Sequence, residues 1–218
     1  MTASRRVVLT GLAFAGFGFF GGNPAFAASP APTAPQVQVD LFRGLADVFS
    51  RGMDTLAARL NREGYVARAF STGGWEAAAR RIIDQYAQQQ HVIVVLIGHS
   101  LGANVTFDIA NALDKHGIPV ELIVTFDATS PKPVPKNVLH LVNFYQNNGF
   151  GKQVSAAPGF QGKLTNIDLT ADTGLSHTTI EKSPRLHTMV MNKIAEAVEK
   201  DLRKRMKTGK RKATKSKS

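Results

Sequence analysis

Val92-Ile93-Val94-Val95-Leu96-Ile97-Gly98-His99-Ser100-Leu101-Gly102 is the stretch that decides the fold. Its first six residues are apolar and mostly β-branched, the composition of a strand buried on both faces in a parallel sheet. A glycine-flanked turn follows, and Ala103 to His116 then reads as helix. Outward from this strand–turn–helix unit the pattern repeats. Short apolar runs at Val37–Leu41, Tyr65–Phe70, Val120–Phe126, Val138–Tyr145 and Leu164–Leu169 predict further strands. Between them, Phe49, Met53, Leu56, Ala57 and Leu60 share one helical face, as do Trp75, Ala78, Ala79, Ile82, Ile83 and Tyr86. A last helix is expected from Arg185 to about Lys207, with Leu186, Val190, Ile194, Ala197 and Leu202 as its apolar stripe. Alternating strands and helices predict an α/β fold around a mostly parallel sheet.

Two connections depart from this alternation. Asp127 to Asn137 carries three prolines at alternate positions, which argues for an extended crossing. Gln146 to Lys163 is rich in Gly, Asn and Ala, and a loop of that length in a compact domain is more often functional than idle.

The chain has 218 residues, 43% hydrophobic and 20% charged, the balance of an ordinary globular protein. It has no cysteine, which excludes disulfides, thiolate metal sites and a cysteine nucleophile. Its net charge of +11 is concentrated at the ends. Residues 203–218 hold nine basic side chains and no acidic one, and Arg5 and Arg6 add two more. The body between is formally neutral and needs no polyanionic partner; nucleic acid is an unlikely ligand, since no aromatics interleave with the terminal lysines.

Residues 1–27 read as a cleavable export signal: Arg5-Arg6, an apolar run from Val7 to Phe20, and Ala25-Phe26-Ala27 as the cleavage site. About 14 apolar residues are too few to span a bilayer comfortably. Ser4 to Leu9 resembles a twin-arginine signal, with Val8 in place of the usual Phe. The expected location is therefore periplasmic or secreted. Residues 28–36 form a Pro/Ala linker, 37–202 the folded domain and 203–218 a basic disordered tail.

Position turns Gly98-His99-Ser100-Leu101-Gly102 from a pattern into a candidate nucleophile elbow. A serine on a tight strand-to-helix turn is lifted above the sheet edge, and glycines two residues before and after it let strand and helix approach closely. There the Leu101 N–H and the helix dipole can stabilise an oxyanion. Serine at its free pKa is a poor nucleophile and needs a base held by an acid. Asp127, directly after the Val120–Phe126 strand, is the expected acid, with Asp168 and Asp172 as rivals. His177, in the loop before the last helix, is the expected base. His99 points away from the base position, while His91, His116 and His140 are poorly placed and His187 is a weaker alternative.

Over Val37 to Leu202 the chain resembles the α/β-hydrolase superfamily of serine esterases, lipases and thioesterases. The resemblance rests on the elbow, the order Ser100, Asp127, His177, and the strand–helix alternation. It implies a compact three-layer sandwich, here without a helical insertion large enough to make a cap domain. An acid after the first strand beyond the elbow is similar to thioesterase domains and some lipases. The resemblance also implies a second oxyanion donor in the loop after the first core strand. In Phe42-Arg43-Gly44-Leu45 the turn glycine matches, so Leu45 would donate its N–H, although Arg43 stands where the family usually has histidine.

The implied chemistry is ester or thioester hydrolysis through an acyl-enzyme on Ser100, with no metal or organic cofactor required. An open cleft, covered only by Gln146–Lys163, favours short or medium acyl esters, thioesters or a polymer surface; Phe150, Pro158 and Phe160 could touch a lipid interface. The basic tail suggests charge-driven attachment to an anionic envelope surface. A noncatalytic envelope-binding protein on the same fold is the alternative from another class.

Overall fold

The computed structural model describes residues 36–45, 50–88 and 92–215. Six strands, β1 (Gln36–Phe42), β2 (Val66–Phe70), β3 (Val92–His99), β4 (Leu122–Phe126), β5 (His140–Tyr145) and β6 (Lys163–Asp168), form one sheet in the order β2-β1-β3-β4-β5-β6. Every neighbouring pair is parallel. Four helices flank it: α1 (Gly52–Arg62), α2 (Trp75–Ala87), α3 (Leu101–Asp114) and α4 (Pro184–Lys215). Each expected strand is present, and the mostly parallel sheet is wholly parallel.

Side-chain alternation divides the core into two layers. Val95 and Ile97 of β3 pack with Met53, Leu56 and Leu60 of α1 and with Leu186, Val190 and Ile194 of α4. Val92, Val94 and Leu96, pointing the other way, meet Ala78 and Ile82 of α2 and Phe107, Ala110 and Leu113 of α3. Every residue of β3 is buried, as a central strand covered on both faces requires. The result is a three-layer α/β sandwich.

Strand order places the site. From β1 the chain moves outward to β2 over the α1 face, then returns past β1 to β3 over the α2 face and continues to β4. Right-handed crossovers demand that change of face. The crevice outside the carboxyl ends of β1 and β3 is therefore the topological switch point, where open α/β sheets hold their ligands. Residues 42–44 and 99–100 border it.

The links from β4 to β5 and from β5 to β6 contain no helix. Residues 127–139 cross through bends and a turn at 136–137, with Val134 bridging Ala156, and Asn137 donates to the carbonyls of Ala110 and Ile118 at 3.0 and 2.9 Å. The 146–162 loop is pinned by polar bonds. Asn166 exchanges two hydrogen bonds with the Val154 backbone, and Lys152 N–H donates to the Ala128 carbonyl.

Two boundaries differ from the sequence reading. β1 begins at Gln36, the last residue of the expected linker. Helix α4 runs eight residues past Lys207, through most of the basic run expected to be a disordered tail. Arg203 and Arg205 pair with Glu199 and Asp201 one turn earlier, satisfying part of that charge within the helix. The expected export signal lies outside the described residues. Among the described residues no helix is long and apolar enough to cross a membrane.

Candidate active site

Close backbone packing fixes the elbow. A Cβ on Gly98 would fall 2.2 Å from the Gly102 carbonyl oxygen, and one on Gly102 would fall 2.2 Å from that of Phe42 at the end of β1. Neither position can hold a side chain without moving strand or helix. Ser100 is forced to φ 56°, ψ −122°, a backbone conformation that costs a non-glycine residue about 1–3 kcal/mol. Its N–H donates to the Phe126 carbonyl at 2.9 Å, tying the elbow to the next strand.

Asp127 follows β4 in the same way. Its φ is 46°, its N–H donates to the Phe144 carbonyl at 2.8 Å, and its carboxylate is fully buried. Oδ1 accepts the Gln146 N–H at 2.8 Å, and Oδ2 lies 3.1 Å from His177 Nδ1. His177 Nε2 is in turn 3.0 Å from Ser100 Oγ. The carboxylate can only accept, so Nδ1 carries the proton and Nε2 presents its lone pair to the serine hydroxyl. Three groups from three separate loops thus form one hydrogen-bonded line, with Ser100 itself only 7% exposed.

The rival acids are engaged elsewhere. Asp168 accepts from the Thr170 N–H and hydroxyl, and these bonds hold its pKa below the usual carboxylate value. Asp172 pairs with Arg185. Among the other histidines, His187 is buried and donates from Nε2 to the Glu181 carbonyl at 2.7 Å, with burial lowering its pKa. His140 opens β5, also lowered by burial, and His116 lies beyond α3; His91 is outside the described residues.

Leu101 opens α3 with its amide at the helix N-terminus beside the serine. Across the crevice, Gly44 packs so closely that a Cβ there would sit 3.1 Å from Ser100 Cβ, which brings Leu45, the next residue, to the same crevice. Arg43, the departure from the expected histidine, forks onto Asp54 of α1 and anchors this loop. The Asp54 carboxyl is held below its usual pKa chiefly by that hydrogen bond.

Several site residues have no signal in the sequence. Gly151 lies against the acid, where a Cβ would fall 2.2 Å from Asp127 Oδ1. Ser50 is fully buried between Gly44 N–H and His99. Phe150, by contrast expected at the rim, stands with its ring 4.8 Å from that of His177 and is 64% exposed. Phe160, expected at the same rim, packs instead on the core layer of α2 and α3; Pro158 is exposed. Among the described residues, no group of three His, Asp or Glu side chains could hold a metal ion.

The fold has parallels in solved structures. The type II thioesterase BorB from the borrelidin biosynthetic cluster superposes with a TM-score of 0.52 at 12% identity, covering 78% of this chain and 94% of that one. Human thioesterase 2 gives 0.49 at 14%, with 75% and 96% covered. A cutinase-like protein from Cryptococcus sp. gives 0.45 at 17%, with 75% and 97% covered. No curated protein sequence matches. The model of the thioesterase domain matches residues 33–202, from just before β1 into the last helix. The chain therefore belongs to the thioesterase domain family and is an α/β-type hydrolase of ester or thioester bonds.

Proposed function

We propose that Ser100, His177 and Asp127 form a working triad that cleaves acyl thioesters or esters through an acyl-enzyme. The observation that carries this reading is the line from Asp127 Oδ2 through His177 to Ser100 Oγ, with gaps of 3.1 and 3.0 Å. His177 takes the serine proton as Oγ attacks the acyl carbon. Asp127 keeps the imidazole in the required tautomer and stabilises its charged form. The oxyanion is received by the N–H groups of Leu101 and Leu45. His177 then protonates the leaving thiol or alcohol, and water attacks the acyl-serine by the same route in reverse.

The surroundings suit a small-molecule acyl substrate entering from an open side. Leu45, Leu101 and Phe150 are 67%, 41% and 64% exposed, and all three adjoin Ser100 or His177. Such an apolar rim gives an acyl chain a surface to lie on while the polar bonds below fix its carbonyl. A lipid interface is a second place where the same rim could work, which is the lipase form of the reaction.

The test is a fluorophosphonate probe followed by intact mass. A single adduct mapped to Ser100 is expected, absent in Ser100→Ala, together with loss of turnover on a soluble acyl thioester and nearly unchanged thermal unfolding. An adduct elsewhere, or turnover retained in Ser100→Ala, rejects the assignment.

Residues 1–27 are proposed to export the protein and be removed, placing the mature chain in the periplasm or outside the cell. The basic end of α4 is proposed to attach it to an anionic envelope surface, for which charge alone is the argument. Truncation after Arg203 should leave soluble turnover intact and weaken adsorption to anionic vesicles at low salt. Equal adsorption of both forms rejects the attachment.

A further inference from the structure

His99 is the residue that the mechanism leaves unused. It is the last residue of β3, only 2% exposed, and its ring lies 4.9 Å from that of His177. Its Nε2 is 2.7 Å from the main-chain carbonyl oxygen of His177. Its Nδ1 is 2.7 Å from Ser50 Oγ, which also receives the Gly44 N–H at 2.8 Å.

Donor and acceptor roles are settled by the ends of this chain. A carbonyl oxygen can only accept, so His99 Nε2 carries a proton. Burial drives the imidazole pKa down to about 4, so the ring is neutral near pH 7 and Nδ1 is an acceptor. Ser50 therefore donates its hydroxyl proton to Nδ1 while accepting from Gly44. The bonds run in one direction: Gly44 N–H to Ser50, Ser50 O–H to His99, His99 N–H to the His177 carbonyl.

We propose that His99 is a positioning residue that sets both sides of the reaction centre at once, holding the oxyanion turn through Ser50 and the base through its main-chain carbonyl. This rests on the triad reading above. The two ends it joins belong to different elements, the loop after β1 and the loop between β6 and α4. Gly44 immediately precedes Leu45, whose amide receives the oxyanion; its N–H is spent on Ser50, which orients the next peptide. Protonation of His99 would turn Nδ1 into a donor facing a hydroxyl that already receives the Gly44 N–H, and would break the order of the chain. A buried polar group that loses its partner destabilises whatever it held.

The test uses the full chain with a soluble acyl thioester and the fluorophosphonate probe. His99→Leu, which removes both bonds, is expected to lower kcat roughly ten- to hundredfold with a smaller change in KM, and to displace the acid limb of the kcat pH profile. His99→Gln, whose amide N–H can donate to the His177 carbonyl, should recover most of kcat without restoring any titration of residue 99. Ser50→Ala breaks the other end and should slow probe capture roughly tenfold while leaving the acid limb in place. In the Ser50→Ala, His99→Leu double variant the losses should not multiply, because one chain is cut twice. Parental kcat and pH profile in His99→Leu and Ser50→Ala overturn the proposal. So do losses that His99→Gln fails to recover and that follow the melting temperature alone. If His99→Leu does not fold, the kcat and probe rates of Ser50→Ala and His99→Gln decide it. Failure of the parent chain to take the probe on Ser100 rejects the triad reading instead.

Discussion

Ser100 and Asp127 are held at strand ends, whereas His177 is held by a loop. Ser100 and Asp127 each stand one residue beyond a fully buried strand, each has a positive φ, and each sends its N–H to the carbonyl of the neighbouring strand. Sheet register alone therefore delivers both to one edge. His177 lies between β6 and the 3-10 turn Ile180–Lys182, in a stretch of turns whose bonds are mostly among its own neighbours, such as Ser176 with Thr179. Beside ring contacts with Phe150 and His99, polar bonds tie it to the rest of the site: its two ring nitrogens, its carbonyl on His99, and Gln146 Nε2 on the Leu175 carbonyl at 3.2 Å. Parallel sheets position groups by geometry, and loops position them by hydrogen bonds that a single substitution can remove.

That contrast breaks first at the acid. Asp127→Asn keeps the shape but accepts from His177 poorly and favours the wrong tautomer, so kcat on a soluble thioester should fall by roughly 10³–10⁴. Asp172→Asn, which loses only the surface pair with Arg185, should change kcat by less than about twofold. Comparable losses in both would move the acid to the loop and dissolve the distinction between the two sides.

A smaller effect sharpens the loop side. Glu181 follows His177 by four residues, fully buried, and its carboxyl points at the amides of Gly52 and Met53 without closing a hydrogen bond to either. Burial raises its pKa to about 7 from 4.5, with Lys182 3.8 Å away only partly opposing that rise. The folded protein thus holds a proton that the unfolded chain gives up. The resulting stability is fully present below about pH 4.5 and is lost as pH rises through about 7. Glu181→Gln should therefore remove a falling contribution and make the slope of melting temperature against pH more positive across this range, on top of the opposite slope from the buried His99, His140 and His187. Asp40, also buried and raised despite its pairing with Arg81, contributes a slope of the same sign as Glu181, so Glu181→Gln removes only part of the falling contribution. An unchanged slope would show that Glu181 does not titrate as buried.

The same division governs what could be read from the sequence. All six strands were legible because apolar runs such as Val92–Ile97 have one physical use, and Ser100 and Asp127 were legible because they terminate such runs. The expectation at His177 comes from the order of the chemistry, and the structure puts its ring between Asp127 and Ser100. Ser50, Gln146 and Gly151 left no trace, since a buried hydroxyl, a loop amide and one more glycine look like ordinary loop residues until the chain closes around Asp127 and His99. The direction in which His99 points, toward Ser50 and a carbonyl, depends on three loops meeting. The end of α4 was misplaced because its Lys and Arg residues are good helix formers as well as a solvated charge run.

The positive φ angles at Ser100 and Asp127 carry a wider consequence. Glycine would relax either backbone and, in the same step, erase the hydroxyl or the carboxylate. At Ser100 thermodynamic drift and the proposed chemistry thus pull in opposite directions, and a screen for heat tolerance alone would favour glycine there. At Asp127 the buried bonds to the Gln146 N–H and His177, which glycine would orphan, oppose the same drift.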